Sequence, residues 1–236
     1  MENQKLNKEI LQIWKDKFEE IKKISGDKFN WPLLIPNFID SPILFLGINP
    51  SGDSKEKFRI DKKEDLDNEK KINSFIEEEE LNIRKGGYRK YFKEFEKISE
   101  KVLGKKQKFN HLDLYFYRGR KSKDFMNLIK KNTSIFENQL NLSINAIKNS
   151  INPKVIFVAN KNASDIIIKK LEIKKEVFDK EGFYIIEMGK RKIPIFFSGM
   201  ISSARSIDNY TLERLVWHIK KAIKWYDENN QNGEKN

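Results

Sequence analysis

The stretch Ile43-Leu44-Phe45-Leu46-Gly47-Ile48-Asn49-Pro50-Ser51-Gly52 organises the reading of this chain. Four consecutive apolar residues after Ser41-Pro42 are too few for a helix. They read as a strand buried on both faces. The residues that follow are turn chemistry. Pro50 stiffens the loop, Gly52 permits backbone conformations closed to other residues, and Asn49 is suited to bonding its own backbone or a ligand.

The same strand-then-polar-turn pattern recurs along the chain. Leu112 to Tyr117 reads as a second strand and Val155 to Val158 as a third. Phe183 to Met188 and Ile193 to Phe197 read as two more, separated by Gly-Lys-Arg-Lys. Helices are expected between them. Residues 3–24 place Leu6, Ile10, Trp14, Phe18 and Ile21 at helical spacing, and residues 86–103 form an amphipathic helix stopped by Gly104. Residues 134–150, 162–171 and 208–227 complete the set, with Asp208 or Asn209 capping the last.

Short apolar strands alternating with helices predict an α/β protein. The expected form is a three-layer α/β/α arrangement around a short, mostly parallel central sheet. One domain over 1–236 is expected. It has an N-terminal helical extension at 1–40, a polar, acidic excursion at 55–85 and a frayed tail at 228–236.

Composition narrows the chemistry. The chain has 236 residues and no cysteine, which excludes disulfides, thiolate zinc sites, iron–sulfur clusters and cysteine nucleophiles. His111 and His218 are its two histidines, too few for a multi-histidine metal site. No metal or cofactor is therefore expected. No apolar signal core or membrane-length run occurs, so a cytoplasmic protein is expected. The net charge is +12, with 12% aromatic residues.

That charge is unevenly spread. Residues 61–80 hold nine acids against four bases, and 81–131 hold sixteen bases against five acids. The basic segment also carries Tyr88, Tyr91, Phe92, Phe95 and Tyr115 to Tyr117. Bases interleaved with aromatics fit a nucleic-acid surface. They fit equally an amphipathic helix whose aromatics face the core. The acidic stretch reads as a mobile excursion or a polar helix.

In open α/β sheets, ligands bind beyond the carboxyl ends of the strands. Those positions hold Gly47 to Ser54, Tyr117 to Arg120, Asn160 to Asn162 and Ser198 to Arg205. Small, amide, hydroxyl and basic groups suit a neutral polar ligand beside phosphates. With Asp53 the main carboxylate, a two-carboxylate glycosidase or two-metal nuclease is disfavoured.

The Gly47-Ile48-Asn49-Pro50 turn after its strand resembles the first active-site motif of the uracil-DNA glycosylase superfamily. It is most similar to the mismatch-specific branch, whose motif reads Gly-Ile-Asn-Pro-Gly. Segments His111–Arg118, Leu140–Ala163 and Ile195–Arg205 fit further family segments in the same order. The resemblance implies a monomeric, metal-free DNA glycosylase that flips a uracil or related base and hydrolyses its N-glycosidic bond. It implies that Asn49 holds the attacking water. The base pocket would use Gly47, Ile48, Pro50, Ser51, Phe58 and Asn160. Arg118, Arg120, Lys161, Ser202, Ser203 and Arg205 would contact DNA, and Met200 or Ile201 would be the wedge filling the gap left by the base.

There are departures. The family's second motif begins with His or Asn followed by Pro-Ser, whereas this chain has Ser198-Gly199-Met200-Ile201-Ser202. Asn160 stands where Gly precedes Lys161. An unusual base is compatible with these changes. Two rivals stay open. One is a glycosylase-fold protein that binds nucleic acid without cleaving it, through Arg84, Lys85, Arg89, Lys90, Arg118, Arg120, Lys121 and Arg205. The other is a parallel-sheet enzyme of small nucleotides, for which no Walker-type loop or GxGxxG is present.

Overall fold

The protein is described from a computed structural model. It describes residues 2–26, 29–49, 58–84, 89–105, 108–119, 122–174, 181–199, 201 and 208–230. Contacts gather these into two compact units. Residues 1–37, 48–81 and 113–146 form a helical unit; residues 38–47, 82–112 and 147–236 form a sheet unit. The units alternate along the chain, which is why no linker divides the sequence.

The sheet unit carries five strands: β1 (Ile43–Gly47), β2 (Asn110–Asp113, whose last residue belongs to the helical unit), β3 (Val155–Val158), β4 (Tyr184–Met188) and β5 (Arg191–Phe197). Their order is β2-β1-β3-β5-β4. β1 pairs parallel to β3 with Ile43 opposite Val155, and β3 parallel to β5 with Ile156 opposite Ile195. β4 and β5 form an antiparallel hairpin, Ile186 opposite Ile193. The mostly parallel sheet of an α/β fold is thus the observed architecture, with β4 the antiparallel exception.

Alternation along the strands sorts the core. Ile43, Phe45, Val155, Phe157 and Phe196 share one cluster with Phe92, Phe95 and Ile98 of α4 (Arg89–Leu103). Leu212, Val216, Ile219 and Ala222 belong to the same cluster and come from the last helix, Asn209–Asn230. Phe45 stacks on Phe95 with centroids 4.3 Å apart. Leu44, Leu46, Ile156 and Val158 point to the opposite face and are equally buried. Burial on both faces is what a continuous apolar run requires. Each large side chain so buried contributes about 1.5–3 kcal/mol. On its β3 side, β5 starts before the stretch that pairs with β3, while β4 still pairs with its other side (Lys192 opposite Glu187), and there the Asn230 carboxamide accepts from Lys192 N at 2.9 Å and donates to Lys192 O at 3.0 Å.

The helical unit holds α1 (Glu2–Asp16), α2 (Phe18–Ser25), most of α3 (Glu69–Arg84), α5 (Ser122–Lys131) and α6 (Thr133–Ala146). Its extended segment 29–36 is fixed by side chains and single backbone bonds. Asn7 donates Nδ2 to Ile35 O at 2.8 Å and accepts from Ile35 N at 2.7 Å, while Trp31 N donates to Phe58 O at 2.7 Å. In the sheet unit, α7 (Lys161–Lys170) follows β3, and Asn209–Asn230 is α8.

Several expected boundaries move, each for a physical reason. The second strand is 110–113, not 112–117. Beyond Asp113 the backbone donors leave the ladder: Phe116 N and Tyr117 N donate to Gln139 Oε1, and Tyr115 N donates to Ile48 O. The N-terminal helix breaks into two at Lys17. The 134–150 helix is α-helical to Ala146 and then a π-helical turn, Ile147–Ile151. Asn152 follows with φ 53°, a left-handed conformation that asparagine adopts more readily than other non-glycine residues, and ends the helix before Pro153. The acidic stretch is a 3-10 turn, Lys63–Asp67, and then α3. Helix α5 was not expected from the sequence.

Candidate functional site

β1 lies where the strand order reverses, with β2 on one side and β3 on the other. Such switch points are where doubly wound sheets bind ligands. The chain leaves β1 at Gly47, and two residues later Asn49 is half-buried in the helical unit.

Its amide is oriented by the backbone. Asn49 Nδ2 donates to Gly119 O at 3.3 Å. Only the nitrogen of an amide can donate to a carbonyl, so this bond fixes which way the side chain is turned, and Oδ1 diverges from it. Gly119 is needed for the approach. A Cβ there would meet Asn49 Nδ2 at 3.0 Å and Phe125 Cδ2 at 3.1 Å. The neighbouring carbonyl, Ile48 O, accepts from Tyr115 N at 3.0 Å.

Arg118 anchors the strand of chain that presents Gly119 O. It is a buried residue of the helical unit. Its Nη2 donates to Glu79 Oε1 at 3.3 Å, its Nε donates to Trp31 O at 3.2 Å, and its guanidinium lies 4.2 Å from the Phe58 ring centroid. Phe58 packs on Phe75 at 5.4 Å, and Phe75 on Trp31 at 5.1 Å. The nearby Asp113 carboxyl is fully buried. Burial first, and the Glu79 charge second, push it up to about 8, while Arg118 acts in the opposite direction.

These contacts correct three sequence expectations. Arg118 is not at the surface for a phosphate; its Nε and Nη2 donate inside the protein. Phe58 is a core aromatic covered by Arg118 and Phe75, not an open face for a flipped base. Ile201 is buried in the cluster with Phe196 and Leu212 instead of projecting as a wedge. Asn160 has a structural task as well: its Oδ1 accepts from Ala163 N at 3.1 Å, capping α7. Lys161, the next residue, is exposed. Gly47 and Ile48 are buried beside Asn49 in sequence. Pro50, Ser51, Arg120, Met200, Ser202, Ser203 and Arg205 lie outside the described residues, as do Lys85 and Lys121.

Glu79, Gly119, Asp113 and Trp31 belong to this network and were missed as site residues. For Glu79 a signal existed. Ile72, Phe75, Ile76, Glu79 and Ile83 recur at helical spacing, placing Glu79 on the apolar stripe of an acidic helix.

His111 is buried in the sheet unit against Tyr91, Phe92 and Phe95, its ring stacked 6.0 Å from Phe95. Burial pulls its pKa down to about 3. It is an uncharged core residue. Among the described residues no group of three His, Asp or Glu is placed to hold a metal, and no helix is long and apolar enough to cross a membrane. No protein-family model matches this chain, and no curated protein is significantly similar to it.

Proposed function

We propose that this chain is a monofunctional DNA glycosylase that hydrolyses the N-glycosidic bond of uracil or a related altered base, with Asn49 as the catalytic residue. The observation that carries the reading is the Asn49 amide, placed just past the switch-point strand and turned by its bond to Gly119 O.

In this reaction the C1′–N bond breaks and its electron pair leaves with the base. A water oxygen bonds C1′, and its proton passes to solvent or to the departing base. The sugar becomes positively charged before the water bonds, so the water needs holding more than deprotonating. An amide oxygen is a weak base and a good acceptor, which suits that task. Asn49 Oδ1 holds the water; Gly119 and, behind it, Arg118 are positioning residues. The buried Arg118 fits a scaffold role and leaves phosphate contact to other bases.

The test uses oligonucleotides, single-stranded and duplex, carrying uracil, hypoxanthine or mismatched thymine, followed by alkaline cleavage of abasic sites. Cleavage by the native chain is expected on at least one. Asn49→Ala should lower the single-turnover rate by roughly 100-fold or more. Gly119→Ala should lower the rate while leaving the fold intact. No cleavage of any substrate, or equal cleavage by Asn49→Ala, overturns the reading. Binding without cleavage would turn it into the binding-protein alternative.

A further inference from the structure

Three large apolar side chains are exposed among the described residues: Leu81, Tyr210 and Trp217. Two of them lie on α8, seven residues apart. Arg214 stands between them, and Lys221 follows one turn beyond Trp217; both are exposed. Positions 210, 214, 217 and 221 fall on one line of a helix with 3.6 residues per turn. That line is diametrically opposite the buried Leu212, Val216, Ile219 and Ala222. It therefore faces away from the sheet, and packing of the core does not account for its aromatics. Lys221 Nζ lies 5.9 Å from the Trp217 ring and donates to Glu181 O at 3.1 Å, which holds charge beside the ring face.

We infer that this aromatic-basic stripe of α8 is a binding surface for single-stranded nucleic acid. Alternating aromatic and cationic groups over about 16 Å of helix offer bases a stacking platform and phosphates a counter-charge. Unpaired bases are required, because in a duplex the π-faces are already stacked. Lys220 and Lys224 flank the stripe. Glu213 and Glu228 are the acids on the same side, and Glu228 is drawn to Lys224 at 3.7 Å. A second copy of this chain is a poor occupant, since it would set like charges against each other. The inference does not rest on base excision or on Asn49.

The native chain makes the measurement simple. Of its four tryptophans, Trp14 and Trp31 are fully buried and Trp225 is half-buried, so Trp217 is the fluorophore open to a ligand. Titration with a thirty-residue oligothymidylate and with oligouridylate, in low salt, should quench its emission. Trp217→Ala should remove the quench and weaken binding, read by fluorescence anisotropy of labelled oligonucleotide, by roughly tenfold. Arg214→Glu with Lys221→Glu should flatten the plot of log affinity against log salt by about 1.4. Glu213→Lys should tighten binding. These side chains are exposed, so far-UV circular dichroism should be unchanged in every variant. Unaltered quench and affinity in Trp217→Ala overturn the inference. So does salt-insensitive binding, or self-association of the native chain that Trp217→Ala abolishes. Quenching without excision removes the glycosylase reading and keeps this one; excision with no effect of Trp217→Ala does the reverse.

Discussion

The two units satisfy their interiors in different ways. In the sheet unit, strand ladders pair the backbone, and the space between is filled by rings and branched chains around Phe45. In the helical unit, Asn7, Gln139 and Ser143 bond backbone that no strand pairs, and an Arg118–Glu79 pair lies inside it. Both interiors are filled by large apolar side chains, Trp14, Phe125 and Phe136 among those of the helical unit, and the second adds specific polar bonds to that area. In the second, Arg118 holds the fold and also backs the chain that turns Asn49, so altering Arg118 touches stability and the candidate site together.

The sharpest way to break this comparison is to remove one anchor from each interior. Phe45→Ala should cost about 3–5 kcal/mol through the cavity it leaves. Arg118→Met should cost a similar amount, about 3–5 kcal/mol, by stranding the buried Glu79. The difference lies in rescue. Adding Glu79→Gln to Arg118→Met removes the stranded charge and should recover part of the loss in urea unfolding at pH 7, whereas no charge change should recover the Phe45→Ala loss. No recovery in the double variant would show that the ion pair adds nothing to the apolar packing of the helical unit.

A smaller effect separates the units by sign. Asp113 in the helical unit is raised to about 8 from 3.8, so the unfolded chain loses its proton first. Its contribution is full below pH 3.8 and is lost as pH rises toward 8. His111 in the sheet unit is lowered to about 3 from 6.5. Its contribution is full above pH 6.5 and is lost as pH falls toward 3. Asp113→Asn should therefore flatten the fall in stability between pH 6.5 and 8, and His111→Phe should flatten the fall on the acid side. Unfolding midpoints from pH 3 to 8 read both.

The smallest effect tests a residue common to both readings of Asn160. As an N-cap, its change to Ala should cost about 1 kcal/mol. If Asn160 acts only as a cap, Asn160→Ser should restore stability and leave excision at the native rate. A rate defect in the Ser variant would give Asn160 a part in the base pocket.

What was legible in the sequence follows the same division. β1, β3 and the β4–β5 hairpin were readable because continuous apolar runs between turn residues leave few alternatives. That Asn49 leaves β1 in a turn was readable because the turn follows such a run. The helical unit was not. Leu114 to Tyr117 look like a strand by composition, but their donors go to Gln139 and Ile48, partners that no local pattern announces. Arg118 sat in a basic block and Glu79 in an acidic one, so both read as solvated charge. Their pairing across 39 positions in the chain is a tertiary fact. Only the helical spacing of Ile72, Phe75 and Glu79 hinted that one acid was turned inward.

The Asn230 carboxamide at Lys192 has a consequence for the solution behaviour of the protein. A strand that outruns its neighbour presents an unpaired donor and acceptor, the template on which another chain can add and begin an aggregate. Here that template is already taken by a side chain that imitates the rung of a ladder. The last turn of α8 thus works as a stopper: fraying it would expose a sticky edge well before the protein unfolds.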